Sequence, residues 1–357
     1  MKTIGILGCS GFIGAHLLEK ILCLQKYRVV GIDKVFDRIE HLLPHRLFRF
    51  VKTDIYKTPL LDQCIEECDI IVSLAALCNP SLYNTEALEV IESNFLRPYE
   101  LVKLCAEKKK KLIHFSTSEV YGKTVQGIAG DALLNSNHES HYLLSENDTP
   151  LILGPVYSQR WSYAAAKQLL ERAIYACGIE KGLDYTIIRP FNFIGPRMDY
   201  IPGIDGEGIP RVLACFMEAI LLGKPLKLVD GGHNRRVFTY IDDAVDAVIR
   251  IVEQPKQSSR RIFNIGNPRN ETTIRALAQM MIDLYTALYP HHQINPEIIN
   301  VSSSEFYGDG YDDCDRRVPD ITSARKLLGW EPQTGLRDTL TKTIISYVKY
   351  YGKEHVA

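Results

Sequence analysis

The sequence has almost no net charge: 42 Lys and Arg stand against 43 Asp and Glu in 357 residues. A chain so balanced carries no whole-molecule field toward nucleic acid or an anionic membrane, so binding must be local. No apolar run reaches membrane-spanning length, and residues 1–8 enter a strand-like run without the basic region, apolar stretch and cleavage site of a secretory signal. The nine cysteines include no C-x-x-C pair and are odd in number, which argues against a disulfide framework and for reduced thiols in a cytoplasmic protein. Repeats and low-complexity segments are absent. His291 and His292 lack carboxylate or cysteine companions at ligand spacing, so no metal is expected. The basic run at 108–111 falls at a predicted helix C-terminus, where cations complement the helix dipole, and no nucleic-acid partner is expected from it.

What is present suits one large or two closely packed domains, with 46% hydrophobic and 24% charged residues. The N-terminal half alternates β-rich runs (KTIGILG, RVVGID, RFVKTDI, DIIVSLAA, KLIHFSTS) with amphipathic runs at 12–24 and 87–108. That alternation predicts an α/β fold, a Rossmann-type doubly wound parallel sheet. Residues 123–160 break the pattern and read as an irregular insertion. Helical periodicity returns at 162–181, followed by the strand YTIIRPF and a Pro/Gly-rich stretch at 195–208. The division expected is a sheet domain over 1–190 and a smaller substrate-binding lobe over 191–357, with later segments returning to the core. The apolar stripe from Leu336 to Tyr351 reads as a packing helix, with a dimer surface as the alternative.

The first strand runs into Gly8-Cys9-Ser10-Gly11-Phe12-Ile13-Gly14 and then a helix. Gly8 permits a tight turn, Gly11 admits a pyrophosphate, Gly14 lets helix meet strand, and the helix N-terminus supplies the anion site. Asp33 closes the next strand, about 20 residues on, where a carboxylate accepts from ribose hydroxyls and repels a 2′-phosphate, which favours NAD. Asp54 and Ile55 after the third strand, and Ala75 after the fourth, fall where the adenine and pyrophosphate would be lined.

Tyr163 and Lys167, four apart in a helical segment, share one face. An ammonium beside a phenol favours the phenolate, a base that can take a hydroxyl proton while hydride leaves the carbon. The fifth strand ends in Ser116-Thr117-Ser118-Glu119, at the sheet edge where open α/β folds hold their ligands, and offers a hydroxyl to share that proton.

With these three features the sequence resembles the extended short-chain dehydrogenase/reductase family, in which G-x-x-G-x-x-G, a strand-end Ser/Thr and Y-x-x-x-K recur in this order. Thr117 sits where the family's catalytic Ser/Thr falls. The sugar-nucleotide 4,6-dehydratases carry Asp-Glu where this chain has Ser118-Glu119, which disfavours dehydration. S-T-S-E-V-Y-G, R-W-S-Y-A-A-A-K, R-P-F-N-F-I-G-P-R, K-L-V-D-G-G, N-I-G-N-P and Y-G-D-G-Y ending in R-R-V-P resemble the UDP-glucuronate decarboxylases of the bacterial aminoarabinose pathway.

The resemblance implies C4 oxidation by bound NAD, loss of C6 as carbon dioxide, and UDP-xylose or a UDP-4-keto-pentose as product. It implies Arg317 as the cationic residue at decarboxylation, Glu119 as acid/base or electrostatic partner and Ser118 as a hydrogen-bonding group. Asn192 would lie near the diphosphate, and Arg160, Arg211, Lys227, Arg236 and Tyr311 around the rest of the nucleotide sugar. Too tight an arginine–carboxylate pair would stabilise the ground state, and Glu119 is expected to restrain Arg317 from one. The chain is also similar to the plant UDP-apiose/UDP-xylose synthases, through I-P-G-I-D-G and G-I-P-R-V-L-A-C-F. Of their cysteine pair, Cys78 is present and Ser118 replaces the other; Cys78 alone reads as a buried small residue. The partners expected are a UDP-sugar and a second copy of the chain. C4 epimerisation, apiose formation and a non-catalytic dinucleotide sensor remain as alternatives.

Overall fold

The computed structural model describes residues 1–124, 128, 138, 141–202, 204–206, 209–292, 296–308 and 312–352. Seven short strands, β1 (Thr3–Leu7), β2 (Arg28–Asp33), β3 (Phe48–Lys52), β4 (Ile70–Ser73), β5 (Lys111–Phe115), β6 (Tyr185–Pro190) and β7 (Arg261–Ile265), form one sheet in the order β7-β6-β5-β4-β1-β2-β3. Every pairing is parallel. Their Ile/Val-rich, non-alternating sequences follow from burial on both faces by crossover helices. The strand order reverses between β1 and β4, which opens a crevice at the carboxyl ends of the strands.

The main helices are α1 (Phe12–Leu24), α2 (Arg97–Glu107), α3 (Ser162–Glu180), α4 (Val212–Leu222), α5 (Ile241–Glu253), α6 (Ile274–Leu288) and α7 (Leu336–Tyr351). One face of the sheet packs on α1 and α5 through Leu17, Leu18, Val245 and Val248, and the other on α2 and α3 through Leu101, Val102, Leu170 and Ile174. A further core joins α4, α6 and α7 through Phe216, Met281 and Ile344 above the crevice. The stripe on α7 is thus a packing face, with Leu340, Ile344 and Tyr347 buried.

Two expectations change in detail. The run at 87–108 is not one helix: Ala87–Ile91 passes through a π turn, Glu92–Leu96, before α2. Pro98 has no amide to give the carbonyl of residue 94, so the regular ladder cannot continue there. Asn94 sits buried in the turn and its Nδ2 donates to Val90 O and Leu77 O, both at 2.9 Å. Within the described part of the insertion, Leu143–Leu144 pairs in parallel with Val318–Pro319, which ties this region to the chain beyond α6.

Candidate active site

The carboxyl ends of the strands and the core of α4, α6 and α7 enclose a cleft of about 1220 Å³. The expected residues Gly8, Gly11, Phe12, Ile13, Gly14, Asp33, Asp54, Ile55 and Ala75 line one part of it. Thr117, Ser118, Glu119, Tyr163 and Lys167 line the middle, and Cys78, Arg160, Asn192, Arg211, Lys227, Arg236 and Arg317 the remainder. Tyr311 lies outside the described residues.

The glycine turn is built for a dinucleotide. Gly8 has φ +91°, and a Cβ on Gly14 would stand 2.1 Å from Gly8 O and 2.8 Å from Cys9 Cα. A Cβ on Gly11 would stand 3.3 Å from Gly8 O. Gly11 caps α1 without a side-chain hydrogen bond, so first-turn amides remain for an anion. Asp33 Oδ2 accepts from Ser10 N at 2.9 Å and Oδ1 from Lys34 N at 2.7 Å, which fixes its carboxylate across the turn. Burial raises the Asp33 pKa, against these donated amides. Asp54 pairs with Lys34 Nζ at 3.1 Å. These residues fit the adenosine diphosphate half of NAD.

At the reacting end, Lys167 Nζ donates to Phe115 O at 3.1 Å and lies 6.0 Å from the centroid of the Tyr163 ring. The helical i, i+4 spacing and the strand-end carbonyl together hold the ammonium against the phenol. Burial pushes Lys167 down to about 8 and raises Tyr163 well above its ordinary value. Thr117 opposes the Tyr163 shift by hydrogen bonding, and its Oγ1 also accepts from Glu119 N at 3.1 Å, which starts the Ser118–Tyr121 turn. Tyr163 stacks on Tyr83 at 5.0 Å between centroids and 9° between planes. The side chain of Tyr83 is buried, so its ring makes a fixed wall for the phenol.

The charged residues form one connected group. Glu119 Oε2 accepts from Arg160 Nη1 at 2.5 Å, whereas Arg317 Nη2 has Asp313 Oδ1 as its hydrogen-bond partner at 3.3 Å. Glu119 thus bonds directly to Arg160, in the short Gln159–Trp161 turn before α3, and acts on Arg317 through charge, while Arg317 is hydrogen-bonded from its own segment. Arg160 and Arg317 nevertheless hold Glu119 below its ordinary pKa against the effect of burial. Arg211 forms a two-point pair with Asp199 at 2.9 and 2.8 Å, and Arg236 donates to Asp313 at 2.6 Å. Both cations thus reach the cleft already partnered. Asn192 has φ 38° and donates from Nδ2 to Val237 O at 2.8 Å. Cys78 is also corrected, being exposed on the cleft wall because it follows β4 in the loop that leaves the core. All nine cysteines are free.

Sequence reasoning missed Asp313, Asp199 and Tyr83. The only signal for Asp313 was an acidic pair in D-G-Y-D-D-C-D-R-R, where a charged loop is unremarkable.

The profile of the NAD dependent epimerase/dehydratase family matches residues 4–266. UDP-D-apiose/UDP-D-xylose synthase 1 of Arabidopsis thaliana is 46% identical over 359 residues, covering 98% of this chain and 92% of that protein. The UDP-D-apiose/UDP-D-xylose synthase of Oryza sativa subsp. japonica is 47% identical over 358 residues, covering 98% and 90%. Among solved structures, the PbgP3 protein from Burkholderia pseudomallei superposes with a TM-score of 0.82 at 32% identity, covering 100% of this chain and 98% of that one. With the glycine turn, Asp33 and the Tyr163/Lys167 pair assembled around one cleft, the chain belongs to the NAD dependent epimerase/dehydratase family.

Proposed function

We propose that the protein is an NAD-dependent UDP-glucuronate decarboxylase, yielding UDP-xylose, a UDP-4-keto-pentose, or both. The observation that carries this reading is the arginine–carboxylate group of Arg160, Arg317, Glu119 and Asp313 beside the Tyr163 phenol. A substrate with a carboxylate next to the oxidised carbon suits that surrounding. The names of the relatives in Arabidopsis thaliana and Oryza sativa support it.

NAD, when bound on the glycine turn, supplies the redox chemistry at C4. Tyr163 takes the C4 hydroxyl proton, Lys167 favours the phenolate, and Thr117 shares the proton through its hydroxyl. Oxidised C4 is a ketone β to the C6 carboxylate, so the C5–C6 bond can break with its electron pair entering a C4 enolate. The residues need supply no separate electron sink. Ser118 and Glu119, both on the cleft wall, are the groups assigned here to hydrogen-bond the enolate oxygen or protonate C5.

Ring contraction to apiose is the second reading, favoured by the relatives' names and by Cys78 on the cleft wall; Ser118 stands where the resemblance places the second thiol. Incubating the protein with UDP-glucuronate and NAD, with products identified by NMR, separates these outcomes. Carbon dioxide with UDP-xylose or UDP-4-keto-pentose is expected. UDP-galacturonate alone, or no nucleotide-sugar product, overturns the decarboxylase reading, and UDP-apiose supports the second.

We also propose a homodimer that uses the outer face of the 87–107 region and α3. Leu88, Leu96, Leu169, Tyr175 and Ile179 are exposed there, on the 87–107 region and α3, which pack against each other.

A further inference from the structure

Three guanidiniums and two carboxylates meet on the cleft wall. Asp313 Oδ1 lies 3.3 Å from Nη2 of both Arg160 and Arg317, while its Oδ2 accepts from Arg236 Nη2 at 2.6 Å. Glu119 accepts from the other Nη of Arg160 at 2.5 Å. Asp315 adjoins the group, close enough to act on Arg236 and Asp313. The Asp313 carboxyl is held well below its ordinary range by Arg236, Arg160 and Arg317, against burial. This group faces the reacting position: Glu119 is two residues beyond Thr117, and the Arg160 guanidinium lies 5.9 Å over the Tyr83 ring that stacks on Tyr163.

Guanidiniums facing the cleft attract a substrate carboxylate, yet a tight grip would slow its loss. A two-point Arg–carboxylate pair is strongest while the charge sits on the carboxylate oxygens, and cleavage moves that charge to the enolate. Asp313 occupies the focus of the same donors, so its carboxylate competes with the substrate's. We propose that Asp313 is a positioning residue: by engaging Arg160, Arg236 and Arg317 together, it keeps them from clamping the substrate carboxylate and so favours C5–C6 cleavage. The inference rests on the UDP-glucuronate reading above. In the step concerned, the C5–C6 bond breaks, carbon dioxide leaves, and the electron pair forms the C4–C5 enolate. A proton then returns to C5 and the C4 ketone is restored, with no net redox change.

The test has two parts. In a Tyr163→Phe background, where C4 oxidation is suppressed, calorimetry gives the Kd of UDP-glucuronate and of UDP-glucose with and without Asp313→Asn. The preference for UDP-glucuronate is expected to rise about tenfold with Asp313→Asn. In the Tyr163 protein, Asp313→Asn is expected to slow carbon dioxide release about tenfold and leave the rate of C4 oxidation unchanged. Equal changes for both ligands, or equal falls in C4 oxidation and carbon dioxide release, overturn the proposal and leave Asp313 a structural anchor. Should Asp313→Asn lose its cooperative thermal transition, Arg236→Gln carries the test with the opposite sign. Asp313 then engages only Arg160 and Arg317, so the preference must fall; an unchanged or raised preference overturns the proposal. If the native protein releases no carbon dioxide, the decarboxylase reading fails by itself, and the binding preference still decides what Asp313 does to a carboxylate.

Discussion

Lys167 is 1% exposed, and in the proposed mechanism it has to stay cationic to favour the Tyr163 phenolate. Burial disfavours its charge and brings it down to about 8, with Glu171, one helical turn on, acting in the opposite direction. The ammonium is therefore present below that value and lost as pH rises through it, whereas Tyr163, raised by burial, needs that charge to ionise. The kcat/KM for C4 oxidation should fall above about pH 8. Lys167→Met should lower it by roughly 10²–10³ and abolish that fall, as read from the pH–rate profile. A fall that persists in Lys167→Met would assign it to another group. Tyr163, Lys167 and Thr117 were legible in the sequence because their relation is local: one helix face and one strand end. Asp313 was not, since its partners Arg160 and Arg236 lie 153 and 77 residues away along the chain.

The strand–turn–helix element beginning at β1 is tightly constrained by its backbone. Gly14 stands so close to the preceding turn that a methyl group would overlap Gly8 O and Cys9 Cα, both backbone atoms that cannot swing aside. Gly14→Ala should lower thermal stability and weaken NAD binding by about tenfold or more, measured as loss of the NAD-induced rise in Tm. A variant with native melting and the native NAD shift would contradict this account of the turn. The π turn shows the limit of periodicity. Amphipathic spacing over 87–108 identifies helix on both sides of Glu92–Leu96, but Pro98 and the Asn94 contact with Leu77 decide that the ladder widens there. That contact also ties the helix to the loop carrying Cys78.

At the scale of the molecule, the sheet and the core of α4, α6 and α7 together make the cleft, while the outer face of the 87–107 region and α3 carries exposed apolar side chains. Ile179→Lys should shift the protein from dimer to monomer by light scattering with little change in Tm, since Ile179 is 67% exposed. A monomeric native protein would refute the proposed pairing. The alternation of β-rich and amphipathic runs determined the parallel sheet, because burial on both faces leaves unbroken apolar strands, and it located the glycine turn, Asp33 and the Tyr163/Lys167 pair. Only the tertiary structure decided which carboxylate each arginine meets: Glu119 with Arg160, Asp199 with Arg211, and Asp313 with Arg160, Arg236 and Arg317. The physical reason is that backbone and apolar periodicity repeat over a few residues and are written locally, whereas a buried charge is balanced by whatever the completed fold brings within hydrogen-bonding reach.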